Sequence, residues 1–444
     1  MIIAQPQNIG EIPMTEITPQ TRINCVTHTD MDGIFSGLVV RHKYPQAIVF
    51  QTNYGRPIDR RWFDCDVLFV TDYTFENASK MKELFTEERP VLVWIDHHEA
   101  VDDAAKIGFN PEGLRRKDVS AAHLCWEYLF PGTDVPTVIK YISAYDTWNW
   151  ENDVRALYFQ NAIRTNNISI NQKTGTDLFN ALLSDTARLE RLVAIGKKIE
   201  DYYTRRNTLV CKDSAFETSL DGIPAIACNI KTTNSLLFKP IEEKYKDVPL
   251  RILFAYFSSI HGYRVSVFSS DKDKYSSHVI CSKYGGGGHA GAGGFQVAKL
   301  EDLPFQLPQR CKDLPEVTDI FHELKVMMDS DTAVENTAKC GGSCVVYGYS
   351  FGAVIDGYTA CCVNDPTGHQ SMFYQTSKDS LYQLGVFYNL MNNGWWRYRI
   401  YILDPSIDIN DVAAAVPNSK IVDNSVIGFK PDPPVPVGVT NGSN

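Results

Sequence analysis

The sequence predicts an α/β fold: a doubly wound, mainly parallel sheet, a helical connector, a second and smaller α/β domain, and an extra C-terminal α+β domain. Between Arg22 and Trp150, short apolar runs rich in β-branched residues alternate with amphipathic stretches, which is typical of strands buried on both faces of a parallel sheet. A long helical period follows, and then a second group of strands that ends in a glycine-dense segment. With 444 residues, the chain is long enough for two or three domains.

The elements are predicted in chain order from these patterns. Strands of the first domain are predicted at residues 23–27, 67–71, 91–95 and 138–144, and helices at 34–42, 77–86 and 121–130. Ser120 and Ser184 are predicted to cap the helices at 121–130 and 185–209. Further strands are predicted at 223–230, 250–257, 263–268, 343–349, 354–363, 371–375 and 395–403, with a helix at 378–391. No internal repeat is recognised in the sequence.

Composition limits the classes of protein that the chain can represent. The formal net charge is −10, from 43 basic and 53 acidic residues, but residues 151–310 alone are basic, with 21 Lys and Arg against 17 Asp and Glu. Eleven cysteines, an odd number and a small fraction of the chain, favour reduced thiols over a disulfide scaffold. No stretch reads as a signal peptide or a membrane span. We therefore expect a cytoplasmic protein that does not contact a membrane.

Acidic and histidine side chains directly follow the four predicted strands of the first domain. In chain order they are His28, Asp30 and Asp32; Asp72; Asp96, His97 and His98; and Asp146. Ligands of open α/β sheets bind outside the carboxyl ends of the strands, so we expect these side chains to converge there. A single Asp after a strand is more often a cap or turn residue, and the prediction depends on all four groups occurring in order.

Carboxylates that converge in one crevice repel each other unless positive charge is bound among them. Mixed Asp and His ligation suits Mn²⁺, Fe²⁺ or Co²⁺ better than Mg²⁺, which prefers oxygen, or structural zinc, which prefers thiolate. Two ions about 3.5–4 Å apart are a common arrangement for phosphoester hydrolysis. The sequence therefore predicts two Mn²⁺ ions, with Co²⁺, Fe²⁺ or Mg²⁺ as alternatives.

These motifs, His-x-Asp-x-Asp-Gly, a following Asp, Asp-His-His and a further Asp, resemble those of the DHH phosphoesterase superfamily. Residues 285–294, Gly-Gly-Gly-Gly-His-Ala-Gly-Ala-Gly-Gly, resemble the GGGH segment of the DHH-associated substrate domain, although His-x-x-Ala-Ala-Gly is expected after the glycines. The resemblance covers residues 22–297. The spacing of the first motif is similar to that of the RecJ-type and nanoRNase-type branches.

The resemblance implies roles for individual residues. It implies one ion held by His28, Asp30 and Asp72, and a second held by Asp32, Asp72, His97 and Asp146. Catalytic roles are implied for Asp96, His97 and His98, where Asp96 either binds a metal or orients a histidine. The predicted substrate-binding residues are His98, Arg115, Arg116, Ser120, Gly286, Gly287, Gly288 and His289. Arg115, Arg116 and Lys117 have the alternative interpretation of a solvated charged face.

With these roles the chain divides into five predicted segments. They are a DHH metal-binding catalytic domain at 1–183, a helical linker at 184–210, a glycine-rich substrate-binding domain at 211–302, a C-terminal α+β domain of unknown role at 311–430, and a disordered tail at 431–444. In the C-terminal domain, Cys340, Cys344, Cys361, Cys362 and His369 allow a zinc site, but the spacing favours ordinary buried thiols.

The predicted activity is that of a Mn²⁺-dependent exonuclease acting on short single-stranded oligonucleotides, oligoribonucleotides above all. The predicted partners are short RNA or DNA or a nucleotide, bound by a monomer or homodimer. A cyclic-dinucleotide phosphodiesterase, a 3′-phosphoadenosine 5′-phosphate phosphatase and a RecJ-like exonuclease of single-stranded DNA use the same chemistry and stay open. A nucleotide-binding regulatory protein is the alternative outside enzymes.

Overall fold

The computed structural model describes residues 17–85, 90–98, 100–165, 170, 173–231, 234–313, 324, 350–365, 367, 373 and 382–436. The chain divides into two compact units, Met1–Glu200 and Asp201–Asn444. The predicted α/β class with a parallel sheet at its start is confirmed. The finer division into five segments stays a prediction.

The first unit is built on a four-stranded parallel sheet in the order β2-β1-β3-β4. Its two central strands are buried almost throughout, which is why their apolar runs are visible in the sequence. The edge strand β2 is partly exposed and was not predicted. The strands are β1 (Ile23–His28), β2 (Ile48–Thr52), β3 (Val67–Thr71) and β4 (Val91–Ile95).

Helices connect or follow these strands in the chain. They are α1 (Met31–Lys43), α2 (Ala78–Leu84), α3 (Ala100–Lys106), α4 (Ala121–Leu129), α5 (Thr137–Asp146), α6 (Arg155–Arg164), α7 (Lys173–Ser184) and α8 (Thr186–Ser214). Helices α1 and α4 pack on the sheet, and α8 extends past the end of the first unit. Ser184 ends α7, and Asp185, whose side chain accepts a hydrogen bond from the Arg188 amide, precedes α8 in place of the predicted cap. None of the helices in the described ranges is both long and apolar enough to cross a bilayer.

The strand predicted at residues 138–144 is wrong, because these residues belong to helix α5. Val138, Ile139, Tyr141 and Ile142 are all buried, and this spacing of one, three and four residues is that of a helix face. Pro136 precedes the helix, where a missing N–H costs nothing. Asp146 is therefore the last residue of a helix and not the residue after a strand.

The second unit contains two six-stranded mixed sheets, in the orders β5-β6-β7-β8-β10-β9 and β11-β12-β13-β14-β16-β15. The first comprises β5 (Ala215–Leu220), β6 (Ile223–Asn229), β7 (Leu250–Phe257), β8 (Gly262–Ser269), β9 (Gly287–Gly288) and β10 (Ala292–Val297), with helix α9 (Ser277–Ser282). The second comprises β11 (Ser350–Ile355), β12 (Tyr358–Val363), β13 (Leu384–Leu390), β14 (Trp396–Ile402), β15 (Lys420–Val422) and β16 (Ser425–Lys430), with helix α10 (Ile409–Ala415).

Two predictions for the C-terminal part are wrong. The helix predicted at residues 378–391 contains β13, a fully buried strand in the middle of its sheet. The single strand predicted at 354–363 is the hairpin of β11 and β12, because Asp356 and Gly357 have positive φ and form its turn. The Asp356-Gly357 pair inside residues 354–363 is itself typical of a hairpin turn, and the strand prediction overlooked it. In residues 384–390 the apolar pattern does not distinguish a buried strand from a helix.

The remaining C-terminal predictions divide between described and undescribed residues. The strands at 343–349 and 371–375, together with Cys340, Cys344 and His369, lie outside the described residues apart from Phe373. Cys361 and Cys362 are adjacent in β12 and belong to hydrophobic clusters on opposite faces of the sheet, so these two thiols do not face one ion. Tyr398 donates a hydrogen bond to the carbonyl of Asp432, so the segment predicted as a disordered tail begins in contact with the sheet.

Candidate metal centre

The turn between β1 and α1 places the first motif. His28 ends β1, and Asp30 caps α1 by accepting a hydrogen bond from the Gly33 amide at 3.0 Å. Gly33 has no room for a side chain, since a Cβ would lie 2.3 Å from the carbonyl oxygen of His28. This close approach sets His28 and Asp30 side by side and places Asp32 in the first turn of the helix, where an acidic side chain is favoured.

Asp72 follows β3 in an unusual backbone conformation. Its φ is 52°, in the left-handed region that non-glycine residues seldom adopt, and its amide donates a hydrogen bond to the carbonyl of Ile95 in β4. Its side chain is 1% exposed. Strain of this kind persists only where the surrounding structure enforces it, and it concentrates at functional sites.

Asp96 follows β4 and is completely buried. Its Oδ1 accepts hydrogen bonds from the amide of His97 at 2.8 Å and from Nδ1 of His98 at 2.7 Å. Its Oδ2 accepts from Oγ1 of Thr74 at 2.8 Å and from Nε1 of Trp94 at 3.2 Å. Both oxygens are thus already used, and the geometry supports the orienting role that the sequence left open for Asp96.

The imidazole of His97 lies among three carboxylates. Its Nε2 is 3.3 Å from Oδ2 of Asp146, 3.4 Å from Oδ1 of Asp72 and 3.8 Å from Oδ2 of Asp32. Asp32 also accepts hydrogen bonds from the amides of Ala121 and Ala122 at the start of α4, at 2.8 and 3.0 Å. The N-terminus of α4 thus fixes this carboxylate, and the C-terminus of α5 brings Asp146 to it.

Among the described residues, seven candidate ligands form three overlapping groups in which every ligand atom lies within 4.8 Å of the others in its group. One group is His28, Asp30 and Asp72, and another is Asp32, His97 and Asp146. A third group joins Asp72 to His97 and His98. The structure therefore brings together all six residues predicted as metal ligands. The first implied set forms one complete group, whereas Asp72 is outside the group of Asp32, His97 and Asp146 and reaches it through His97, with Oδ1 of Asp72 3.4 Å from Nε2 of His97. Their role as ligands stays a prediction.

The charges of the cluster are unbalanced without a cation. Burial, and then the charges of Asp30, Asp32 and Asp146, raise the pKa of Asp72 well above its usual value. Burial also lowers the pKa of His97, which favours the neutral imidazole that a metal ion binds. Among the described residues, the buried Oδ2 of Asp72 has no hydrogen-bond partner. A divalent cation satisfies this oxygen and offsets the repulsion, so the residues present fit a metal site.

His98 is held in the opposite state to His97. Its burial acts to lower the pKa, but the hydrogen bond and the charge of Asp96 outweigh it and raise the pKa of His98 to about 9. The same pair holds the pKa of Asp96 at about 2 in spite of its burial. His98 is therefore protonated at neutral pH, 3.7 Å from Oδ1 of Asp72. Its positive charge suits a phosphate oxygen.

Three of the predicted substrate-binding residues make other contacts. The guanidinium of Arg115 donates hydrogen bonds to the carbonyls of Trp94 and Pro111 and lies 5.4 Å from the Trp94 ring. These contacts hold the loop of Arg115 against β4. Arg116 pairs with Asp118 and Glu127. Ser120 is completely buried at the start of α4. These contacts support structural roles, and phosphate binding by the three residues stays a prediction.

The glycine-dense segment is a β-hairpin of the second unit. Gly287 and Gly288 form β9, which pairs with Gly294 and Gly293 of β10, and His289 begins the turn. A Cβ on Gly286 would lie 2.0 Å from the Gly294 carbonyl oxygen. These glycines therefore permit close approach of two backbones. Phosphate binding by the predicted residues Gly286, Gly287, Gly288 and His289 stays a prediction.

Tyr54 is a site residue that sequence reasoning missed. Its ring is 5.7 Å from that of His28 and 6.4 Å from that of His98, and 47% of the residue is exposed. Oδ1 of the neighbouring Asn53 accepts a hydrogen bond from Nε2 of His28 at 3.2 Å. Both residues follow the unpredicted edge strand β2, so the sequence offered no strand end to inspect.

Comparisons with known proteins found one similar sequence and several similar structures. No model of a known protein family matches the chain. The chain is 22% identical over 350 residues to an uncharacterized protein, R106, of Acanthamoeba polyphaga mimivirus, across 70% of this chain and 76% of the relative. It is similar in structure to the DHH domain of a member of a family of ribosomal proteins, with a TM-score of 0.44 and 15% identity over 62% of this chain and 82% of that chain.

The exonuclease RecJ of Thermus thermophilus, solved in complex with Mn²⁺, is a further structural neighbour, with a TM-score of 0.34 and 13% identity over 92% of this chain and 68% of that chain. Both TM-scores are below 0.5, so the case for a function rests on the side chains of this chain. In its four motifs, and in the α/β fold that carries them, the chain resembles the DHH-domain proteins.

Proposed function

We propose that the chain is a phosphoesterase of the DHH type that uses two divalent metal ions, Mn²⁺ first, to hydrolyse terminal phosphodiester bonds of short single-stranded oligonucleotides, oligoribonucleotides above all. The observation that carries the proposal is the position of Asp72 between two ligand groups. It forms one group with His28 and Asp30, and its Oδ1 is 3.4 Å from Nε2 of His97, which belongs to the group with Asp32 and Asp146. A buried, strained carboxylate between two such groups is suited to bridging two ions.

The site residues have two proposed roles, metal binding and stabilisation of the phosphate. His28, Asp30 and Asp72 would hold one ion, and Asp32, His97 and Asp146, with Asp72, the other. Two bound ions supply the positive charge that activates water and neutralises phosphate oxygens. Asp96 orients His98 through the bond from Nδ1 and keeps its ring protonated, so that His98 stabilises negative charge on the phosphate.

Two features support an oligonucleotide as the substrate. The half-exposed ring of Tyr54 beside His28 and His98 offers a surface on which a base or ribose stacks next to the phosphate to be cleaved. Residues 151–310 carry a net charge of +4, which favours a polyanion. A preference for RNA and for short chains goes beyond these features and is part of the proposal.

The test is a substrate panel in Mn²⁺ with the full chain and two variants. The panel contains RNA dimers to pentamers, matching DNA, a cyclic dinucleotide and a 3′-phosphonucleotide. We expect the RNA dimers to pentamers to be hydrolysed fastest, and Asp72→Ala to lower turnover by about a thousandfold or more. Asp64→Ala is the matched control, because Asp64 lies before β3, at the opposite end of that strand, and pairs with Arg22 on the surface.

Metal content is measured on the same samples. We expect about two equivalents of bound Mn²⁺ in the unchanged chain and in Asp64→Ala, and fewer in Asp72→Ala. Near-normal turnover in Asp72→Ala would exclude the proposed site. Metal binding without hydrolysis of any substrate would favour the nucleotide-binding regulatory protein, and fastest cleavage of DNA, the cyclic dinucleotide or the 3′-phosphonucleotide would replace the RNA substrate with that one.

A further inference from the structure

The two sheets of the second unit have the same topology. In each, the strands lie in the order first, second, third, fourth, sixth, fifth. In each, the second and third strands are parallel and all other neighbours are antiparallel. A short helix, α9 or α10, connects the fourth strand to the fifth. We call residues 215–297 copy one and residues 350–430 copy two.

The copies also agree in register. The first hairpin of copy one turns at Asp221 and Gly222, and that of copy two turns at Asp356 and Gly357, with positive φ at all four residues. Such a two-residue turn matches the twist of the strands that it joins. When the ladders are superimposed pair by pair, further identical residues coincide: Phe216 with Phe351, Ala225 with Ala360, Asn229 with Asn364, and Arg264 with Arg397.

Each copy buries an inner and an outer face in the same way. The inner faces of both copies form one continuous hydrophobic core, in which the ring of Tyr256 lies 4.8 Å from that of Phe351. The outer faces have separate clusters, and each contains a phenylalanine from the connection between the second and third strands, Phe238 in copy one and Phe373 in copy two. The two copies thus pack against each other through their inner faces, and each keeps its own outer cluster.

The shared face contains a reciprocal pair of asparagines. Nδ2 of Asn229 donates to Oδ1 of Asn364 at 3.1 Å, and Nδ2 of Asn364 donates to Oδ1 of Asn229 at 2.8 Å. Each asparagine also donates to a backbone carbonyl in its own copy and accepts from a backbone amide in the other. These partners are the carbonyls of Phe254 and Tyr388 and the amides of Leu390 and Tyr256. Such reciprocity is the mark of a two-fold symmetric interface.

The copies differ where copy one has its glycine hairpin. In the same register, copy two has Lys420 at the position of Gly287 and Val422 at the position of His289. Its turn consists of Asp423 and Asn424, both with positive φ. Copy two therefore has side chains at positions where copy one exposes glycine backbone. The glycines and the histidine that are predicted to bind phosphate in copy one have no counterparts in copy two.

We infer that copy two is a diverged duplicate of copy one, retained as a built-in partner that covers the inner face of copy one as one subunit of a symmetric dimer covers the other. The inner face of copy one needs such a cover, because its buried side chains include Leu250, Phe254 and Val265, each at most 1% exposed. A contiguous apolar face of this kind is not stable in water. Copy two covers this apolar face of copy one within the same chain.

The test is hydrogen exchange of the full chain, read by mass spectrometry, with and without Asn364→Ala. The substitution changes only copy two, but it removes hydrogen bonds to Asn229 and to the Tyr256 amide in copy one. We expect amides of β6 and β7 to exchange about tenfold faster or more, together with those of β12 and β13. Asn410→Ala is the control, because Asn410 bonds to Asp408 at the start of α10, and its effect should stay in that helix.

Faster exchange confined to copy two would show two independent domains and would overturn the inference. Where Asn364→Ala does not fold, Phe351→Leu takes its place, since this milder change removes only part of the ring contact with Tyr256. For Phe351→Leu as well, faster exchange in both copies supports the built-in partner, and a change in copy two alone overturns it. The readout needs no ligand and is independent of the proposed hydrolysis.

Discussion

Two buried polar clusters at the ends of strands, one around Asp72 and one at Asn229 and Asn364, are built in opposite ways. In the asparagine pair, both oxygens and both nitrogens have hydrogen-bond partners, and no formal charge is buried. Around Asp72, carboxylates face carboxylates, and one buried oxygen has no partner among the described residues. The neutral cluster is complete as it stands, whereas the charged one is complete only with a cation.

This difference indicates a structural role for the asparagine pair and a ligand-binding role for the cluster around Asp72. A satisfied polar network stabilises and specifies the fold in which it is buried. A cluster of repelling acids lowers stability and is maintained only where a ligand compensates it. The two clusters should therefore respond to substitution in opposite ways.

The largest effect is expected from Asp72→Asn. Loss of the carboxylate that is proposed to bridge the two ions should lower hydrolysis by about a thousandfold or more. The same change removes a repelled buried charge, so the metal-free protein should gain roughly 1 kcal/mol or more of unfolding free energy. Chemical denaturation without metal measures this gain. Stabilisation by added Mn²⁺ should be reduced or absent in the variant. A metal-free variant that is less stable than the unchanged chain would contradict the repulsion around Asp72.

The opposite response is expected from Asn229→Ala and Asn364→Ala. Each leaves buried donors and acceptors unsatisfied at about 1–3 kcal/mol apiece, so each should lower the free energy of unfolding by about 3 kcal/mol. Because both changes remove the same network, the double variant should cost less than the sum of the single variants. Denaturant unfolding of the four proteins measures this coupling, and additive losses would contradict the reciprocal pair.

A smaller effect is expected from Asp96→Asn, which keeps the shape of the orienting residue and removes its charge. Activity should fall by about 10- to 100-fold, as for other residues that orient a site histidine. In the metal-free protein, the pKa of His98 should fall from about 9 towards its usual value, which an NMR titration of the ring measures. An unchanged pKa of His98 would contradict the pairing with Asp96.

The pairing of Asp96 with His98 also predicts how the stability of the metal-free protein depends on pH. The folded pKa of His98 is raised, so its contribution is complete below about pH 6.5 and is lost as the pH rises through about 9. The folded pKa of Asp96 is lowered, so its contribution is complete above about pH 4 and is lost as the pH falls through about 2. Asp96→Asn should remove both dependences.

The smallest effect concerns the two hairpins. If the glycine hairpin binds phosphate, His289→Ala should weaken binding of a short 5′-phosphorylated oligoribonucleotide by about tenfold, the value of one charge-assisted contact. Lys420→Ala, at the corresponding hairpin of copy two, is the matched control and should leave binding unchanged. Fluorescence anisotropy measures both. Equal losses would mean that copy two also contacts the substrate.

The parts of the site that could be predicted are those encoded by neighbours in the chain. β1, β3 and β4 are predicted correctly because these buried parallel strands are rich in apolar and β-branched residues. His28 ends β1, and Asp72 and Asp96 to His98 directly follow β3 and β4. Asp146 was placed beside the cluster for the wrong local reason, since it ends a helix. Tyr54 was missed because the edge strand before it is only partly buried.

The α/β class, the order of the motifs and the residue types that point to divalent metal are predictable from the sequence alone, because each depends on local pattern. The fold was needed to see that Asp96 is saturated by hydrogen bonds and that residues 350–430 repeat residues 215–297. The two asparagines that join the copies are 135 positions apart, and few identical residues accompany them. Sheet topology and buried contacts persist while most side chains change, so the inferred duplication is visible in the fold and was not recognised in the sequence.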